Sequence, residues 1–111
     1  MTEQEIFDKV AKHLLDQGEP SVIGDSCVYR GTNGRMCAAG VLIPDEVYSV
    51  EMEGKCFHSV AQKLPDSLSY LKENSFFVGE LQELHDDTMA CTWERKLRAI
   101  ASKRELNWNL G

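Results

Sequence analysis

The chain has 111 residues, 42% of them hydrophobic and 27% charged, which fits one compact domain with its own core and excludes a disordered or low-complexity chain. The formal net charge of −6 is unevenly spread: residues 1–91 hold 7 basic and 16 acidic side chains, a balance of −9, while residues 92–111 hold 5 basic and 2 acidic, a balance of +3. So broad an acidic surface repels a phosphate backbone, which argues against nucleic acid as the main partner and suits a basic protein partner or solubility alone.

No apolar run approaches the ~20 residues that a membrane helix needs, and polar residues follow Met1 at once. The expectation is a cytoplasmic protein without a membrane partner. In a reducing compartment Cys27, Cys37, Cys56 and Cys91 are then expected as free thiols rather than bridges.

Thr2-Glu3-Gln4-Glu5 is a capping box, and Ile6, Phe7, Val10, Ala11, Leu14 and Leu15 fall on one helical face. The pattern predicts a helix over 3–17, closed by Gly18 and Pro20. His13 falls on its polar side and reads as a solvated residue. Asn33-Gly34 is a strong hairpin signal, because both residues tolerate the positive φ of a type I′ turn. Strands are predicted at about 26–31 and 35–40. A two-residue loop would set Arg30 opposite Cys37 and send Cys27 and Cys37 to opposite sides; a loop of three or five residues would reverse that.

The small residues Ala38, Ala39 and Gly40 allow a helix to approach closely. Pro44-Asp45-Glu46 reads as a helix start with Val47 and Tyr48 in its first turn, followed by a polar turn through Glu51, Glu53 and Gly54. A short helix is predicted within 56–64, a turn at Pro65-Asp66-Ser67, and a longer helix over about 76–90 striped by Phe77, Leu81, Leu84 and Thr88. Thr92 is a candidate cap for a last helix carrying Trp93, Leu97, Ile100 and Ala101. Leu106, Trp108 and Leu110 form an apolar tail expected to fold back. The fold class predicted is α+β: a mostly helical single domain, residues 1–111, with one β-hairpin (about 26–40) packed on helices.

Three constellations could carry chemistry. Cys27, Cys37, Cys56 and His58 offer four metal ligands, but only Cys56-x-His58 is a close pair, and structural zinc sites bring ligands in tight pairs. Cys37 could act as a nucleophile with His85 as base and Asp86 as orienting carboxylate, in a usable chain order. No helix N-terminus stands at Cys37 to lower its pKa. The His85-Asp86 dipeptide also fits metal-dependent phosphohydrolases, yet only His13 and His58 are available to complete such a site. P-loop, dinucleotide, EF-hand and HExxH patterns are absent. No metal or cofactor is expected.

The motifs CVYRGTNGRMCAAGVLIPDEVY, Met52-Glu53-Gly54 and ELQELHD at Glu80–Asp86, with the closing Trp93…Leu97…Ile100-Ala101 helix, resemble a group of short proteins encoded in tailed-phage and prophage genomes. The resemblance spans about residues 26–101 and brings no catalytic residue with it. It implies a small accessory protein made in the host bacterial cytoplasm. Such a protein would act by stoichiometric binding to a host protein, for instance to inhibit a defence system. The candidate partner-binding residues are Asp45, Glu46, Tyr48, Glu51 and Glu53. A homodimer is left open. The alternative is a small thiol-dependent enzyme or metal-binding protein using Cys37 with His85 and Asp86.

Overall fold

Helix α1 (Glu3–Gln17) starts where its capping box lies. The Thr2 hydroxyl accepts from the Glu5 N–H at 3.2 Å and the Glu5 carboxylate accepts from the Thr2 N–H at 2.8 Å, so two of the open amides of a helix start are satisfied. Gly18 closes the helix in the left-handed conformation, φ 69°, and Ile6, Phe7, Val10, Ala11 and Leu14 are buried. His13 is not simply solvated. Its Nε2 donates to the Met36 carbonyl at 2.8 Å, beside Gln17, which bonds both the N–H and the carbonyl of Met36. The polar edge of α1 thereby fastens the 31–36 turn.

The computed structural model describes residues 1–111. After α1 come strands β1 (Val22–Ile23) and β2 (Ser26–Cys27), then helices α2 (Phe57–Ala61), α3 (Ser69–Glu73), α4 (Ser75–Asp87) and α5 (Trp93–Lys103). This is a mostly helical α+β fold with one two-stranded antiparallel hairpin. Helix α1 packs on α4 and α5, and α2 packs on α4. The shortest dimension is 19 Å, about two helix diameters, so the core is the seam between two layers. Thr92 does not cap α5 through its side chain; its hydroxyl donates to the Met89 carbonyl at 2.7 Å. The tail does fold back. Trp108 meets the Phe7 ring edge-on at 6.1 Å, and Asn107 exchanges two hydrogen bonds with Gln4.

The hairpin is displaced from its expected place. Val22 pairs with Cys27 and Ile23 with Ser26, around a turn at Gly24-Asp25 in which Gly24 has φ 61°. Around Asn33-Gly34 both residues take the expected positive φ, 59° and 74°, but only Arg30 and Met36 pair. Five residues lie between them, so the register differs by one from a two-residue loop. Tyr29 and Cys37 then turn inward together, with the Cys37 N–H donating to the Tyr29 carbonyl at 3.3 Å. The second expected strand fails because Ala38-Ala39-Gly40 has no β-branched residue to favour extension. Residues Gly40–Leu42 instead coil into a tight buried turn beneath α1. Pro44 likewise opens one turn, its carbonyl accepting from Val47 and Tyr48, but Ser49 is extended and only a single 3-10 turn, Val50–Met52, follows it.

Glu80 on α4 ties three helices together. Its carboxylate accepts from Lys103 and, at 2.9 Å, from Arg104, while Arg104 also reaches Glu3 at 3.6 Å. Burial alone would raise the Glu80 carboxyl, but the hydrogen bonds from Lys103 and Arg104 outweigh it and hold its pKa below the ordinary value. A depressed carboxylate stabilises the fold above its unfolded pKa and loses that contribution as pH falls through the folded one. Stability is therefore expected to decline as pH drops below about 4.5, and Glu80→Gln should flatten that acid limb in urea titrations run at several pH values. No helix is long and apolar enough to cross a membrane.

Candidate functional site

The residues singled out by sequence fall into two places. His85 and Asp86 sit at the end of α4, and of the acidic 45–53 segment only Glu53 reaches the groove that Asp86 also lines. His85 is 1% exposed and its ring stacks on Trp93 at 5.5 Å. Its Nε2 lies 2.9 Å from the Ser21 N–H. A backbone amide can only donate, so Nε2 must be the acceptor and, in the neutral ring, Nδ1 carries the proton. Nδ1 lies 2.6 Å from Asp86 Oδ1 and donates to it. Both ring nitrogens are thus committed, and the arrangement welds α4 to the chain ahead of β1.

That commitment decides what the site can do. Cys27, not Cys37, is the thiol beside His85 and Asp86; the three offer ligand atoms within 4.8 Å of one another. A metal on Nδ1 would oblige the neutral ring to move its proton to Nε2, against the Ser21 N–H. Metal-bound histidines normally point that second N–H at an acceptor, so the donor set does not fit a metal. A general base needs a free lone pair, and the one on Nε2 is occupied by Ser21.

Cys37 is fully buried, and its sulfur accepts from the Gly40 N–H at 3.2 Å. Burial pushes its pKa up to about 12, against the smaller opposing effect of that amide. Cys27 is raised as well, by partial burial first and then by Asp86. Cys56 is exposed and lowered, chiefly by its hydrogen bond to Ser59. His58 does not join the cysteines: its Nδ1 bonds Ser75 at 3.0 Å and its ring stacks on Phe76 at 5.0 Å. Reactivity follows the thiolate fraction and access. With iodoacetamide at neutral pH, mass spectrometry of the native protein should show Cys56 labelled ahead of Cys27, and Cys37 unlabelled until denaturant is added.

The acidic knuckle is largely a network of its own. Arg30 pairs with Asp45 at 2.6 Å, donates to the Ile43 carbonyl at 2.7 Å, and lies over the Tyr48 ring at 4.7 Å. Glu53 accepts from the N–H groups of Tyr29 and Arg30 and from the Tyr48 hydroxyl at 2.6 Å. Burial and that bond to Glu53 push the Tyr48 pKa up to about 12. Glu46 and Glu51 stand exposed and make no ion pair.

Asp86 and Glu53 both line an open groove of about 560 Å³. One wall is a stripe of α4, Phe76, Gly79, Glu80, Glu83 and Asp86, which share a face by their three- and four-residue spacing. The other wall comes from Cys27–Tyr29 and Glu53–His58. Of the four carboxylates lining it, only Glu80 is paired with lysine or arginine; Asp86 bonds the neutral His85 ring, while Glu53 and Glu83 form no ion pair. Phe76 stands 80% exposed at one end. Among the groove's acids, sequence reading marked Glu53 and Asp86 and passed over Glu83, along with Phe76 and Gly79 on the same wall. One signal pointed there: a glycine, Gly79, within a helical pattern. No protein family, curated protein or solved structure matches the chain.

Proposed function

We propose that the protein is a stoichiometric protein-binding module: an accessory protein of the tailed-phage kind that its motifs resemble, acting on a host protein in the bacterial cytoplasm, with a component of a host defence system as the target class. The observation that carries this reading is the groove. Its three carboxylates without a lysine or arginine partner, beside an exposed phenylalanine ring, form a surface that a complementary protein would neutralise and cover. The knuckle that brings Glu53 to the groove also presents the exposed acids Glu46 and Glu51; Arg30 holds it together by pairing with Asp45, lying over the Tyr48 ring and donating its N–H to Glu53, which also accepts from the Tyr48 hydroxyl. The competing reading, a thiol enzyme using Cys37, His85 and Asp86, has no free lone pair on His85 and a thiol held protonated.

The test is a tagged pull-down from bacterial lysate, followed by sizing of the eluate. A single partner at fixed ratio supports a binding module, and charge reversal at Glu46 and Glu51 should weaken its capture. A lone monomer or homodimer from every lysate tried would count against it.

A further inference from the structure

We infer that the groove takes an extended, arginine-bearing segment of the partner, with its backbone lying over Gly79 and a guanidinium stacked on Phe76. This rests on the binding-module reading and adds the chemistry of what is bound. Gly79 is the first indication. It sits inside α4, where glycine costs about 1 kcal/mol relative to alanine. A Cβ built there meets nothing within 4 Å, so packing does not demand a glycine. What the missing side chain does is leave the helix backbone bare along the groove, where another chain can approach closely.

The second indication is the pairing of charge with an exposed ring. Phe76 and Asp86 are ten residues apart on one helix, roughly 15 Å, the span of four or five extended residues. Along that length Glu83 and Asp86 have no lysine or arginine partner, while Glu80 is already held by Lys103 and Arg104, and Phe76 stands at the start. One face of the Phe76 ring is stacked on His58, and the ring is otherwise 80% exposed, which leaves its opposite face to a cation. Arginine meets both demands better than lysine, since its planar guanidinium stacks on a ring and binds a carboxylate through two N–H groups. Side chains of an extended segment alternate, so two arginines separated by one residue would both face α4, one over Phe76 and one toward Glu83.

The probe is a fluorescein-labelled heptapeptide, Gly-Ser-Arg-Ser-Arg-Ser-Gly, titrated by fluorescence anisotropy with the full chain at low salt. Saturable binding is expected. Phe76→Ala, Gly79→Leu and Glu83→Lys should each weaken it about tenfold or more, and so should lysine in place of both arginines. Gly79→Leu separates binding from folding, because leucine is the better helix former and should leave thermal stability equal or higher. Equal binding to wild type, Phe76→Ala and Gly79→Leu would mean diffuse attraction to an acidic surface and overturn the groove. Absence of binding would overturn it as well. If a partner captured from lysate is retained in full by Gly79→Leu, the groove assignment falls while the binding module stands. If wild type captures neither peptide nor partner, both fall.

Discussion

Gly40→Ala is expected to destabilise the protein by about 3 kcal/mol, at the upper end of what overpacking one methyl group costs. A Cβ at Gly40 would lie 2.2 Å from the Tyr29 carbonyl oxygen and 3.0 Å from its carbon. Both are backbone atoms, and that backbone is fixed twice: the Tyr29 N–H donates to Glu53 at 2.8 Å, and the Tyr29 hydroxyl donates to the Lys55 carbonyl at 2.6 Å. Relief of the clash must therefore move Tyr29 off Glu53 or lift the 40–42 turn from beneath α1. Gly34→Ala is the informative control. Gly34 has φ 74° and open space around its Cβ, so alanine there meets only backbone strain, about 1 kcal/mol. Urea denaturation of both variants should show a much lower midpoint for Gly40→Ala with little change in slope. Equal midpoints would refute the close approach.

The same contact explains why the hairpin was only half legible. The Asn33-Gly34 signal reports local backbone preference, and both residues do take positive φ. It carries nothing about whether the following residues pair, and Ala38-Ala39-Gly40 is drawn inward by packing against Tyr29 and α1. Helix α1 was legible to its ends because its cap, its apolar spacing and Gly18 are all local. Helix α4 was legible on one face only. Phe77, Leu81 and Leu84 announce the buried stripe. The groove face acquires meaning only when Cys27–Tyr29 and Glu53–His58 arrive from elsewhere in the chain. Chain order likewise could not tell which thiol would stand beside His85. Spacing admits Cys37, but Cys37 packs into the core with Tyr29, while Cys27 belongs to the separate Val22–Cys27 pairing and stands at Asp86.

His85→Ala should cost on the order of 4 kcal/mol, the larger of the two effects. Part is the cavity left beneath Trp93, which is fully buried against the imidazole. The rest is the Ser21 N–H, which loses its acceptor in a residue that is itself fully buried; an orphaned buried donor costs about 1–3 kcal/mol. For a domain of this length the melting temperature should fall by roughly 15 °C. Asp86→Asn should cost far less, because an asparagine oxygen can still accept from Nδ1. This contrast distinguishes a structural weld from a poised base, for which the carboxylate would matter through its charge. A nitrogen-15 spectrum of the imidazole at neutral pH supplies the direct reading. With Ser21 donating to Nε2, the proton must be found on Nδ1. A proton on Nε2 instead would mean that the Ser21 bond is not made, which would free a lone pair on Nδ1 and reopen metal or base chemistry with Cys27 and Asp86.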